Sequence, residues 1–222
     1  MSAAGVDGHT GLFVVFEGGD GVGKSTQTAW LAASLGQAGL PHTVTFEPGA
    51  TWLGVRVRDL VLNPASGPIC PASEALLYVA DKAQHVAEVV RPCLDNGLVV
   101  VSDRYTDSVI AYQGAGRQLA GDDLARLVDW ATGGLRPDLT ILLDADPVEA
   151  VGAIVAKDRL EGAGLDLHRR ARQCFLDLAA LDPDRYLVLP ARDPQPVIAA
   201  AVRRRLGELG LTLSAPEGMM ES

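Results

Sequence analysis

The chain has 222 residues, 48% of them hydrophobic, with 24 glycines and a formal net charge of −9. That length suits one domain with a well-buried core, and the Gly-rich, half-apolar composition excludes a fibrous or disordered chain. The acidic balance argues against general binding to nucleic acid or to an anionic membrane, since both need a basic face, but it leaves room for a local anion site built from a few Arg and Lys.

Residues 1–10 and 214–222 read as loose tails, and the chain between them has no internal repeat or long low-complexity linker. The start, MSAAGVDGHTGL, lacks a charged segment followed by an apolar one, so no signal peptide is expected. No apolar run approaches the ~20 residues of a membrane span. Cys70, Cys93 and Cys174 follow no CxxC or zinc spacing and read as free thiols of a reducing cytosol. A soluble cytoplasmic protein is expected.

In chain order, LFVVFE (12–17) is the first predicted strand, and a glycine-rich turn leads from it into a helix over 24–37. HTVTFE (42–47) is the second strand. PASEALLYVADKAQHVAEVVRPCLDNG predicts a long helix with a Pro/Ser start, apolar positions at 76, 79, 83, 86 and 90, and an Asn-Gly stop. LVVVSD (98–103) is a third strand, GDDLARLVDWATGG (121–134) a helix, and LTILLD (139–144) a fourth strand. A helix over 164–181, the strand RYLVLP (185–190) and a helix over 194–209 complete the set. Near-continuous apolar strands suit a parallel sheet buried on both faces. Their alternation with helices predicts a single α/β domain over 1–222, three layers deep, with right-handed crossovers.

GGDGVGKS, Gly18 to Ser25, is a full match to G-x-x-x-x-G-K-[ST], placed between a strand and a helix as that motif requires. Gly18, Gly21 and Gly23 let backbone N–H groups wrap phosphate oxygens, and the helix start adds a positive dipole. Lys24 has the reach for the β- and γ-phosphates, and the Ser25 hydroxyl suits Mg²⁺. Gly19, Asp20, Val22 and Thr26 complete the expected ATP-binding run. The motif names the donor and leaves the acceptor open. Asp20 inside it is the more informative residue, because a carboxylate beside a transferring phosphoryl repels it unless it faces an acceptor hydroxyl or a cation. Downstream, the third strand ends in Asp103-Arg104. There Asp103 is placed to hold the Mg²⁺ water shell, and Arg104 to clamp an acceptor phosphate in bidentate fashion.

These blocks resemble the bacterial thymidylate kinases of the P-loop nucleoside monophosphate kinase family. The resemblance runs over about residues 11–207, through FVVFEGGDGVGKSTQ, EPGATWLGVRVRDLVL, LLYVADKAQHVAEVVRPCL, DRYTDSVIAYQGAGR, RPDLTILLD and DRLEGAGLDLHRRAR. It implies a five-stranded parallel sheet, a lid at about 157–164, ATP as donor, Mg²⁺ dependence, deoxythymidine monophosphate as acceptor and a homodimer packed through helices. Catalysis is then expected from Lys24, Asp20, Arg104 and the lid residue Arg159. The acceptor phosphate is expected at Arg58 and Arg104, the base at Tyr78 and Gln113, and the deoxyribose at Tyr112, where a 2′-hydroxyl would clash. Glu47 and Pro48 form a turn beside the acceptor, and Lys82, Ser108 and Val109 complete its pocket. Glu17 is expected to tune or position the phosphate site, and His85 and His168 are read as structural.

Three departures from the family pattern stand out. Lys82 replaces an Arg that hydrogen-bonds the base, and Lys cannot fork bidentately. Val109 replaces a polar residue at the base edge. The lid segment KDRLEGAG is short and carries only Lys157 and Arg159 as cations, although charge on the transferring phosphoryl has to be offset somewhere. Phe46 also stands where an Arg is common. The departures motivate two alternatives to thymidylate phosphorylation. One is the same reaction on another pyrimidine or modified deoxynucleoside monophosphate, and the other is a nucleotide-binding protein without catalysis.

Overall fold

The computed structural model describes residues 10–152 and 164–215. Five strands form one parallel sheet: β1 (Leu12–Gly18), β2 (His42–Phe46), β3 (Val99–Asp103), β4 (Leu139–Asp144) and β5 (Tyr186–Pro190). Their spatial order is β2-β3-β1-β4-β5, with β1 central; Phe16 pairs with Asp103 on one side and Ile141 on the other. Alternate residues of each strand feed opposite layers, which is why the strands read as unbroken apolar runs.

One face is covered by α1 (Lys24–Gln37) and α9 (Gln195–Glu208), whose Leu31, Leu35, Ile198 and Leu206 join Val14, Phe16, Val101 and Ile141 in a core. On the other face, Phe13, Val15 and Val100 meet Val86, Val90 and Leu94. Those three belong to a long helical path that starts as α3 (Pro71–His85), widens over Val86–Val90 and ends as α4 (Arg91–Asp95). Helix α8 (Leu165–Leu181) covers the rest of that face with Leu167, Ala171 and Phe175. Helices α2 (Trp52–Leu62) and α6 (Gly121–Thr132) flank α3 around a smaller core of Val57, Val61, Tyr78, Val79, Leu124 and Val128. Short α5 (Thr106–Val109) leads into a second widened turn over Ile110–Gly116, and α7 (Pro147–Gly152) follows β4.

The expected strands agree with the structure to within a residue at each end, and α1 matches its expected span. The long helix differs in two respects. It widens before Pro92, which has no N–H to give and whose ring crowds the carbonyl four residues back, so the helix accommodates it with a looser turn. Its buried face is also only partly the expected one: Val79, Val86 and Val90 are buried, but Leu76 is 55% exposed, and Glu74, Asp81, Lys82 and His85 are buried as well. Helix α2 was not expected from periodicity. It is rich in β-branched residues, and it starts because the Thr51 hydroxyl accepts a hydrogen bond from the Gly54 N–H at 2.9 Å.

Candidate active site

The phosphate loop occupies the carboxyl end of β1. Gly18 adopts φ 132°, and a Cβ there would lie 2.4 Å from the Leu143 carbonyl oxygen, so only glycine fits against β4. Val22 turns its side chain into the core, leaving its backbone to the loop. The Lys24 ammonium is buried and donates to the Gly19 carbonyl at 2.6 Å and the Gly18 carbonyl at 3.3 Å. Burial, with Arg104 nearby, lowers its pKa to about 8. An anion arriving in the loop would favour the charged form of this lysine. The Ser25 hydroxyl donates to Asp103 Oδ2 at 2.8 Å. Both are hard oxygen donors facing an open cleft, a set that suits a divalent cation which keeps most of its water.

Arg104 follows β3 in the left-handed region, at φ 72°. Its N–H donates to the Phe16 carbonyl at 2.9 Å and its carbonyl accepts from Ser102 Oγ at 2.8 Å, so the backbone is tied on both sides of the residue. The guanidinium donates to the Gly18 carbonyl at 3.0 Å, to Ser108 Oγ at 2.9 Å and to Asp20. Tyr112 donates its hydroxyl to the other Asp20 oxygen at 3.1 Å. Burial alone would raise the Asp20 pKa, but Arg104 and Lys24 outweigh it and hold the carboxyl below its usual range. Asp20 is therefore a permanent carboxylate that orients Arg104 and Tyr112, and it is unsuited to act as a proton-transfer base.

Behind this pair lies Glu47, buried, with both oxygens engaged. Lys82 binds one, and His85 Nδ1 lies 2.6 Å from the other, while His85 Nε2 lies 2.6 Å from Thr45 Oγ1. His85 thus has a specific task, holding Glu47, within the structural role expected for it. Asp81 accepts from the Gly49 N–H at 3.2 Å and fixes the turn after Pro48. Glu74 accepts from Gln113 at 3.1 Å and from Arg117 at 3.0 Å. Sequence reading missed Glu74 and Asp81. Together with Tyr78, Lys82 and His85 they form a polar stripe at helical spacing on α3, and that spacing was the available signal.

Two clefts meet over Asp20 and Arg104. The first, about 1320 Å³, runs along the phosphate loop past Gly21, Gly23, Lys24, Ser25, Thr26 and Asp103. The second, about 620 Å³, is lined by Glu47, Pro48, Arg58, Tyr78, Lys82 and Arg104, and on its other wall by Ser108, Val109, Tyr112 and Gln113. Glu47 and Arg58 also border both. Lys82 spends its ammonium on Glu47 instead of standing free, and Val109 is packed among Tyr78, Val57 and Leu124. Phe46 is 44% exposed beside the Arg58 guanidinium, 5.8 Å from its ring centroid. His168 is buried and faces Tyr112 ring-to-ring at 6.1 Å. The lid residues Lys157 and Arg159 lie outside the described residues. No described helix is long and apolar enough to cross a membrane.

A family model for thymidylate kinase matches residues 16–202. A thymidylate kinase from Cutibacterium acnes is 60% identical over 196 residues, covering 88% of this chain and 96% of the relative. One from Deinococcus radiodurans is 50% identical over 203 residues, covering 90% and 98%. Among solved structures, a thymidylate kinase from Ehrlichia chaffeensis superposes with a TM-score of 0.74 at 28% identity, covering 88% of this chain and 98% of that one.

Proposed function

This chain belongs to the thymidylate kinase family, and from that premise we propose that it transfers the γ-phosphoryl group of ATP to deoxythymidine monophosphate, giving ADP and the diphosphate. The arrangement that carries the reading is the junction of the two clefts: the phosphate loop with Lys24 on one side, nine residues expected for the acceptor on the other, and Asp20 with Arg104 between them. The attacking atom is an acceptor phosphate oxygen, already anionic, so no proton has to be removed first. The chemical difficulty is repulsion between two phosphates, and the protein's task is to position them in line and offset their charge.

Each residue then has a part. Lys24 and the loop N–H groups hold the β- and γ-phosphates. Arg104 and Arg58 hold the acceptor phosphate, with Arg104 aimed by Asp20 and Ser108. Tyr78, Val109 and Gln113 line the base site, and Tyr112 closes the space beside the sugar. Ser25 and Asp103 would hold Mg²⁺, which offsets phosphate charge when bound. Arg159 would add lid charge. Nothing among the relatives favours a different acceptor: those at 60% and 50% identity are thymidylate kinases. A cytoplasmic location agrees with three free cysteines, and a homodimer packed through the helices is part of the same reading.

Lys24→Ala tests it. With Mg-ATP and deoxythymidine monophosphate, the wild type should form ADP and the variant should lose at least about 10²-fold in kcat, the scale of one electrostatic group at a transferring phosphoryl. Equal turnover of the two proteins would refute the assignment.

A further inference from the structure

Glu17 is the last carboxylate of β1, fully buried one residue before the phosphate loop, and it touches neither cleft. Three donors converge on it. Its Oε1 accepts from the Tyr105 N–H at 2.9 Å and the Ser108 N–H at 3.2 Å, and its Oε2 accepts from the Ser108 hydroxyl at 2.7 Å. All three come from the turn that carries Arg104 out of β3 into α5. The Ser108 oxygen in turn accepts from Arg104 at 2.9 Å.

We propose that Glu17 is a positioning residue for the acceptor-phosphate clamp: through Ser108 and the Tyr105–Ser108 backbone it holds Arg104 in its left-handed conformation, aimed at the incoming phosphate. This deepens the proposed function and rests on it. A non-glycine residue at φ 72° persists only where its surroundings over-determine it. The ties to Phe16 and Ser102 secure the Arg104 backbone, and Ser108 secures its guanidinium. Glu17 is the group that satisfies the Ser108 hydroxyl, leaving the oxygen lone pairs for Arg104. Three donors onto one buried carboxylate is an arrangement built for the anion. Burial beside Asp107 opposes it and pushes the Glu17 pKa up to about 7.

Steady-state kinetics on the intact protein test the proposal with Glu17→Gln, Ser108→Ala and the double variant. The glutamine has no second acceptor for the Ser108 hydroxyl, so the clamp loosens while the phosphate loop keeps its glycines and Lys24. Glu17→Gln should raise KM for deoxythymidine monophosphate about tenfold, the scale of one charge-assisted hydrogen bond, with KM for ATP within about twofold. Thymidine, which has the base and sugar without the phosphate, should inhibit wild type and variant with the same Ki. The double variant should be no worse than the more damaged single one, because the two residues act in series. Equal rises in the thymidine Ki and the KM for the monophosphate, or additive losses in the double variant, would overturn the proposal. Should Glu17→Gln not fold, Ser108→Ala is read by the same split between monophosphate and thymidine. Failure of wild type to use the monophosphate at all would instead sink the underlying reading, so the two failures are separable.

Discussion

Asp81 lies on α3 next to Lys82, within the field of the Glu47 carboxylate. Its Oδ1 holds the Gly49 N–H, while its Oδ2 is buried without a hydrogen-bond partner among the described residues. Burial first, and Glu47 second, raise its pKa from 3.8 to about 6. Below pH 3.8 it is protonated whether the chain is folded or not. Between the two values only the folded chain keeps the proton, so the stability this group contributes is complete below 3.8 and is lost as pH rises through about 6. Glu17, raised to about 7, acts in the same direction. The shift at Asp81 corresponds to roughly 2–3 kcal/mol. Urea melts between pH 4 and 7.5 should show Asp81→Asn losing less stability than wild type by about that amount. Parallel pH dependences in the two proteins would contradict this. The carboxylates that do this work were poorly legible in sequence. Lys24, Ser25, Asp103 and Arg104 could be picked out because a motif or a strand end placed them, whereas Asp81 and His85 acquire their roles only when the turn at Glu47 folds back over α3, and Glu74 only when Gln113 and Arg117 are brought to it.

Helix α3 shows what patterning does and does not say about an element. Its buried face mixes polar and apolar residues, so apolar periodicity correctly found Val79, and Val86 and Val90 beyond its end, but also pointed to Leu76, which is exposed, and passed over Glu74, Asp81, Lys82 and His85. Helix α2 went unseen because its sequence, WLGVRVRDLVL, is β-branched and offers no clean helical stripe, although packing on α3 makes it helical. An exposed Leu needs no explanation when single. Here, however, Leu76 on α3, Val55 and Leu60 on α2 and Trp130 on α6 are all at least 47% exposed, on three helices that pack together. Such residues suit the helical dimer interface proposed above. Sedimentation equilibrium should give a dimer for wild type and a shift toward monomer for Leu76→Glu. A wild type that stays monomeric at micromolar concentration would remove the dimer from the account.

At the scale of the whole molecule, the three layers followed from the alternation of apolar strands with helices, because each βαβ unit closes with one hand, and the motif between a strand and a helix located the phosphate loop; the strand order β2-β3-β1-β4-β5, with β1 central, was not foreseen. The convergence of residues 47, 58, 78, 82, 104, 108, 109, 112 and 113 round one cleft did not follow from any spacing. It depended on a family resemblance, since these positions come from four separate segments that only the folded sheet brings together. Lys82 and Val109, which looked like departures aimed at the base, have local partners: Glu47 for the one and the α2–α3–α6 core for the other.

The most direct measurement is an acceptor panel. Purified protein is given Mg-ATP with deoxythymidine, deoxyuridine, deoxycytidine, uridine, adenosine or guanosine monophosphate, and kcat/KM is taken from ADP formation. Deoxythymidine monophosphate should be the best acceptor by at least about tenfold, the discrimination available from one well-filled pocket. A higher kcat/KM for any other acceptor on the panel would contradict it, as would ATP binding with no acceptor-dependent ADP.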